Sequence, residues 1–243
     1  MLARLLATAA VGGVVGFIVF HPREAEATGP TATVDADEAQ RWLLGGNAWF
    51  VKGGRHVGDT SVERRTAVAP SQAPSCTILT CADSRVPPEH LFHAGLGDMF
   101  TVRVAGNVAE PVTTGSIEYA VEHLGTQLVV VMGHERCGAV KAALSDASLG
   151  PNLDALLALI RPGIGEIEDL DEAVRANVHA QVAGLRRSAI LHHAEAEGTL
   201  TLLAAYYDLD TGVVTFLDSP PTSAVAEAAA SPRTPAEGHA PTH

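Results

Sequence analysis

The sequence predicts an α/β protein: a mainly parallel central sheet of about five strands with an antiparallel edge strand, flanked by helices and preceded by an N-terminal helical arm. Three observations point there. Ser75–Thr80, Met99–Ala105 and Leu128–Met132 read as short, continuous apolar runs, the pattern of strands covered on both faces. Stretches of helical period separate them, as crossover helices separate parallel strands. Finally, Thr199–Leu209 and Val213–Leu217 face each other across Asp210-Thr211-Gly212, a turn that makes a hairpin and supplies the antiparallel edge.

Each helix has its own signal. Asp35–Lys52 carries Leu43, Leu44, Trp49 and Phe50 as an apolar face. Thr114–Gly125 reads as a helix that stops at Gly125, and Gly138 begins another that runs to Ala147. Asp171–Ala196 reads as one long helical stretch with Val174, Val178, Val182 and Leu185 at helical spacing.

The two ends differ in kind from the middle. Arg4 is followed by the uncharged apolar run Leu5–Phe20 and then by Ala25-Glu26-Ala27, the layout of a secretory signal peptide. The run falls short of the roughly 20 residues a membrane-spanning helix needs, although an uncleaved anchor is the other reading. Residues 1–27 are therefore assigned to a signal peptide or N-terminal anchor, 28–35 to a Thr/Gly/Pro linker and 36–218 to one folded domain. Residues 219–243, rich in Pro, Ala, Thr and Glu without periodicity, are assigned to a disordered tail. The expected location is outside the cytoplasm: secreted, periplasmic or in the cell envelope, with membrane contact only through an uncleaved N-terminal segment.

Composition narrows the function. Apolar residues make up 47% of the chain, enough for a real core. Sixteen Lys plus Arg against 28 Asp plus Glu give a net charge of −12. That balance, with no basic cluster, argues against a nucleic-acid partner, whose phosphates require basic surface. Only three cysteines occur, Cys76, Cys81 and Cys137. A disulfide-stapled exported domain shows an even and denser set, so these cysteines are expected to serve another purpose.

Two segments hold most of the chemistry. Cys81-Ala82-Asp83-Ser84-Arg85 and His134-Glu135-Arg136-Cys137-Gly138 each begin where a predicted strand ends. In open α/β sheets ligands sit at the carboxyl ends of strands, near a topological switch point, so two neighbouring strands could aim both segments at one place. Cys81, His134 and Cys137 offer two thiolates and an imidazole, a good zinc set. Three protein ligands leave a fourth position for water or a carboxylate, the arrangement of a catalytic zinc rather than a closed structural one. Asp83, two residues beyond Cys81, could fill that position, or it could pair with Arg85 instead. A cysteine is equally often a small buried hydrophobe, and that is the preferred reading for Cys76.

Together the segments Cys81-Ala82-Asp83-Ser84-Arg85-Val86 and Gly133-His134-Glu135-Arg136-Cys137-Gly138-Ala139 resemble the signature pair of the β-carbonic anhydrases. Leu44-Gly45-Gly46-Asn47, Gly97-Asp98-Met99-Phe100, Arg103-Val104-Ala105-Gly106-Asn107, Ser116-Ile117-Glu118-Tyr119-Ala120 and Tyr207-Asp208-Leu209 extend the resemblance from about Asp37 to Asp218. It implies one Zn2+ per subunit held by Cys81, His134 and Cys137, with Asp83 as a fourth ligand in a closed form only. It implies a catalytic dyad of Asp83 and Arg85, and substrate-binding positions at Gln72, Phe100, Tyr119 and Gly138. It further implies a homodimer or homotetramer, because the family builds its pocket across a tight dimer. Many members carry Asn at the position of Val104 and Ser or Thr at that of Glu135. Neither is a ligand position, but Glu135 adds a charge beside the site.

The activity so implied is the reversible hydration of carbon dioxide to bicarbonate and a proton, by attack of zinc-bound hydroxide. A hydrolase of carbon disulfide or carbonyl sulfide on the same fold is an alternative. So is a non-catalytic exported protein that binds zinc or senses bicarbonate, although Asp83, Arg85 and Gln72 are all present to argue for catalysis. A redox dithiol protein would need a Cys-x-x-Cys motif, which this sequence lacks. Proton exit calls for a titratable side chain such as histidine. His93 and His123 lie nearest the motifs, and for both an ordinary surface residue is the preferred reading.

Overall fold

A computed structural model describes residues 34–55, 58–145 and 147–218. The signal or anchor segment, nearly all of the linker and the expected tail lie outside the described residues. Among those described, no helix is long and apolar enough to cross a membrane.

The chain enters through helix α1 (Ala36–Val51), capped by the Asp35 carboxylate, which accepts from the Glu38 N–H. Helix α2 (Val62–Val68), capped by Ser61, leads to strand β1 (Cys76–Thr80). A single helical turn, α3 (Pro88–Leu91), precedes strand β2 (Met99–Arg103). A 3-10 turn at Ala105–Asn107 then leads to α4 (Pro111–Leu124), which ends on left-handed Gly125. Strand β3 (Leu128–His134) is followed by α5 (Gly138–Ala143), α6 (Pro151–Ile164), α7 (Leu170–Leu185) and α8 (Ala189–Ala196). Strands β4 (Thr201–Tyr207) and β5 (Val214–Phe216) close the fold.

The five strands stand in the order β2-β1-β3-β4-β5, parallel except for the antiparallel β4–β5 hairpin. The chain moves outward from β1 to β2 on one side and from β3 to β4 on the other. The switch point therefore lies between β1 and β3, and the crevice at their carboxyl ends is the place for a ligand.

Both sheet faces are covered, which is why the central strands β1 and β3 are buried throughout and largely apolar. One face (Ile78, Val130, Met132, Ala205, Phe216) packs beneath α1 and α3 through Ala39, Leu43, Leu91 and Phe92. The other (Leu79, Val129, Val131, Leu202) packs beneath α4, α7 and α8 through Ile117, Val178, Val182, Leu185 and Leu191. A third cluster surrounds the carboxyl ends of the strands, where Val140, Leu157, Ile160 and Val174 pack around Cys81 and Cys137.

Several expectations need correction. The single helix expected over Asp171–Ala196 is two, because Ser188 caps a new start: its Oγ accepts from Leu191 N–H and donates to Glu118 Oε1 at 2.6 Å. β3 does not stop before Gly133 but continues to His134. Gly133 is small there because α7 crosses it closely: a Cβ would lie 2.5 Å from Val178 Cγ2. β2 ends at Arg103, since Ala105–Asn107 turns through left-handed Gly106, and α5 ends at Ala143 rather than Ala147. Trp49, placed on the apolar face of α1, is 49% exposed, its indole N–H bonded to the Arg55 carbonyl.

That face holds instead a buried asparagine. Asn47 Nδ2 donates to the carbonyls of Gly212 (2.9 Å) and Leu91 (3.4 Å), and its Oδ1 accepts from Val214 N–H (2.9 Å). It thus ties α1 to the hairpin and to α3. Asn47→Ala is expected to lower stability by about 3 kcal/mol, because it leaves buried backbone groups without partners. Chemical denaturation would check this, and a loss below half that figure would mean that water replaces the amide.

Candidate metal centre

Cys81 follows β1 directly, His134 ends β3, and Cys137 stands at the N-cap position of α5. In register Thr80 pairs with Met132, so Cys81 and His134 emerge side by side at the switch point. The two sulfurs and an imidazole nitrogen lie within 4.8 Å of one another, and all three residues are buried. Neither cysteine is in a disulfide.

The hydrogen bonds select the ligand atoms. His134 Nδ1 lies 2.9 Å from the Glu135 carbonyl, which can only accept, so Nδ1 carries the proton. Nε2 is left with its lone pair, fully buried and without a hydrogen-bond partner. A buried polar atom so left is costly unless something binds it. The Cys81 thiol is drawn down first by its hydrogen bond from Cys137, helped by the N–H groups of Asp83 and Gly106, each 3.4 Å from its sulfur. Cys137 is pushed up in turn, because it donates to Cys81 and is itself buried. Two soft sulfurs and one imidazole suit zinc, for which tetrahedral bonding sets ligand atoms roughly 3.5–3.8 Å apart. The residues therefore fit the metal.

Asp83 stands beside this set. Arg85 grips its carboxylate as a fork, Nε to Oδ1 at 2.9 Å and Nη2 to Oδ2 at 2.7 Å, with the Arg85 backbone N–H also on Oδ1. These bonds, the fork above all, hold the carboxyl well below the usual carboxylate range. Asp83 Oδ2 is nevertheless 3.9 Å from His134 Nε2. The carboxylate thus stands between guanidinium and ligand set, a choice the sequence had left open.

The other expected positions are scattered within one chain. Gln72 is exposed and precedes β1, so a whole strand, about 16 Å, separates it from Cys81. Phe100 lies on β2 opposite Thr77 and touches Tyr119 of α4, with ring centroids 6.4 Å apart; Tyr119 is 47% exposed. Gly138 opens α5 immediately after Cys137, with free space beside its Cα. His123 approaches Tyr119, with ring centroids 5.2 Å apart.

Some supporting residues escaped sequence reasoning. Arg103, at the end of β2, donates to the carbonyls of Cys81 (3.0 Å) and Asp83 (2.6 Å) and so clamps the loop that bears both. Glu135 does not point its charge at the site. Its carboxylate accepts from Leu209 N–H (3.0 Å) and from Arg136, which forks Asp210 at 2.7 and 3.1 Å. These contacts hold Arg136 at φ 53°, an unusual backbone state for a non-glycine residue, inside the His-x-x-Cys turn. Only the Arg136–Asp210 charge complement could have been suspected from sequence.

The fold and the three-ligand set define an α/β protein with a metal centre at its sheet switch point. Residues 76–214 match the family model described as carbonic anhydrase. Carbonic anhydrase 2 of Mycobacterium tuberculosis is 40% identical over 184 residues, covering 72% of this chain and 89% of that protein. The carbonic anhydrase of Mycolicibacterium smegmatis is 39% identical over 186 residues, covering 72% of this chain and 90% of that protein. A tetrameric β-carbonic anhydrase from Sordaria macrospora superposes with a TM-score of 0.59 at 30% identity, covering 63% of this chain and 85% of that one. The chain belongs to the β-carbonic anhydrase family, and its cofactor is zinc.

Proposed function

We propose that the protein catalyses the reversible hydration of carbon dioxide to bicarbonate and a proton, with one zinc per subunit on Cys81, His134 and Cys137. The observation that carries this reading is the Asp83–Arg85 fork set beside an imidazole nitrogen that lacks a partner. When bound, the metal supplies Lewis acidity that ionises water near neutral pH, as is known of carbonic anhydrases as a class. The protein's own groups do the rest. Asp83, fixed by Arg85, accepts a hydrogen bond from the reacting water and holds its lone pair toward the substrate. The buried walls around Cys81 and Cys137 exclude bulk water from that spot.

Gln72, Phe100 and Tyr119 complete the pocket only if a second copy presents them. We therefore assign the active form to a homodimer or a tetramer built from it. The exposure of Tyr119 beside the outermost strand supports this, as does the tetrameric state of the Sordaria enzyme. In that arrangement Gln72 hydrogen-bonds a substrate oxygen while Phe100 and Tyr119 form the apolar wall. Gly138 leaves room beside the metal ligands.

Stopped-flow carbon dioxide hydration on purified residues 28–243, with zinc measured on the same sample, tests the activity. Turnover well above the uncatalysed rate with about one zinc per chain supports it. Zinc without turnover, or turnover confined to carbonyl sulfide or carbon disulfide, refutes it. Export is part of the same proposal. Intact mass of the exported protein is expected to begin near Thr28, and a full-length mass in the membrane fraction would mean an anchor.

A further inference from the structure

One sulfur of the centre is served by a helix that contributes no ligand. Gly106 N–H donates to Cys81 Sγ at 3.4 Å from inside the 3-10 turn. Glycine at φ 70° is conformationally permissive, so nothing in that residue itself fixes where its N–H points. A side chain could not do so by bulk either, since a Cβ there would lie 2.6 Å from Ile160 Cδ1. The pin comes from α7, and it acts on the next peptide plane of the turn, which holds Gly106 from its carbonyl side. Asn177, fully buried, donates from Nδ2 to the Gly106 carbonyl at 2.9 Å. Gln181, one turn further on, donates to Asn177 Oδ1 (2.9 Å) and to the Leu159 carbonyl (3.2 Å), and accepts from Ala109 N–H (2.8 Å). Two buried amides thus hold the turn from both sides.

We propose that Asn177, backed by Gln181, is a positioning residue for the metal centre: it aims the Gly106 N–H at Cys81 and thereby sets how strongly that sulfur donates to the metal. The inference rests on the metal-centre assignment. An N–H···S bond withdraws electron density from a thiolate, making it a weaker donor and the metal a stronger Lewis acid. Partners of this outer kind typically change metal affinity 10- to 100-fold when removed. Two buried amides that merely filled a gap between helices would have no such effect on the sulfur.

Cobalt(II) substitution separates the two roles, because cobalt, unlike d10 zinc, shows a sulfur-to-metal charge-transfer band. In Asn177→Leu and in Asn177→Asp, which keeps the shape but loses the donor, the band is expected to move to longer wavelength. Metal affinity should fall about 10-fold or more, because the loop that carries Cys81 loses its orientation even as the freed thiolate donates more strongly. Gln181→Glu keeps the acceptor for Ala109 and loses both donors; its band should move the same way by less. Leu185→Ala, buried on the same helix without a polar link to the turn, should lower stability and leave the band in place. A folded, cobalt-loaded Asn177 variant with the wild-type band overturns the proposal, as does a Leu185→Ala variant that moves the band equally. If the Asn177 variants fail to fold, an unmoved band in Gln181→Glu overturns it. A wild-type protein that took up no cobalt would instead sink the metal-centre assignment itself.

Discussion

His134→Ala, Cys81→Ser and Cys137→Ser are each expected to leave the purified protein with little bound zinc and no measurable turnover, whereas Cys76→Ser keeps both. With only three protein ligands, losing one removes a third of the set, and His134 Nε2 has no other partner to turn to. Cys76 is just as buried, and burial pushes its thiol far up. It begins β1, however, while Cys81 follows the strand's end, so about 16 Å of strand lies between them. Its sulfur packs on the α1 side of the sheet as a small hydrophobe. Cys76→Ser should therefore cost about 1–2 kcal/mol of stability, the price of burying a hydroxyl, and no metal. Metal content per chain by mass spectrometry, read beside hydration rates, checks both halves. Equal zinc loss from Cys76→Ser would overturn the ligand assignment.

Asp83→Asn should retain zinc and lose turnover by about 10²–10³-fold, in the range typical of a positioned proton acceptor. The amide keeps the shape but cannot accept the charged fork of Arg85, whose Nε and Nη2 both need acceptors. The pH behaviour follows from the sign of the shift. Arg85 holds the Asp83 carboxyl below its ordinary value, so it is ionised throughout pH 6–9 in folded and unfolded chains alike. Its contribution to stability is fully present there and is lost only as the pH falls below about 4 and on through the lowered folded value. A rise of activity with pH through neutrality therefore reports ionisation of the water that the metal would hold, or competition for the metal's fourth position, not titration of Asp83. If Asp83 binds the metal in a closed form and the subunits switch together, the wild-type rise should be steeper than a single titration, and Asp83→Asn should flatten it. Wild-type rates for Asp83→Asn across pH 6–9 would remove the carboxylate from the mechanism.

The Cys81, His134 and Cys137 cluster was legible because its residues sit at strand ends, where an apolar run stops and a polar motif begins. Sheet order was legible only in outline: the runs identified the strands, but nothing in Leu128–Met132 said that β3 would lie beside β1. Gly133 misled because a glycine that ends a strand and one that admits a crossing helix look alike in sequence. α6 went unread because its approach to α5 and α7 decides its burial. Asn177 and Gln181 were invisible for a similar reason. They fall at i+3 and i+7 from Val174, on the same stripe as Val178 and Val182, but spacing does not say which groups two buried amides bond until the turn at Gly106 is seen against them. Phe100 and Tyr119 touch each other but, like Gln72, stand apart from the ligands within one chain, and the proposed second copy would bring them to the site.

The β1–β3 register has a consequence for assembly order. No ligand pair from different strands can meet until Thr80 faces Met132, and that parallel contact joins segments far apart in sequence. Such pairings form slowly, because a long loop must close before any contact rewards it. A nascent or threaded chain consequently presents the metal with the local pair His134 and Cys137 and a separate Cys81 thiol rather than the full set, and strong capture waits for the central strands to zip. Once they have, zinc binds only the finished state and draws the folding equilibrium after it by mass action. Metal uptake followed in real time during refolding should then lag the first helical signal and coincide with sheet formation, making the ion a clock for the moment the two halves of the sheet join.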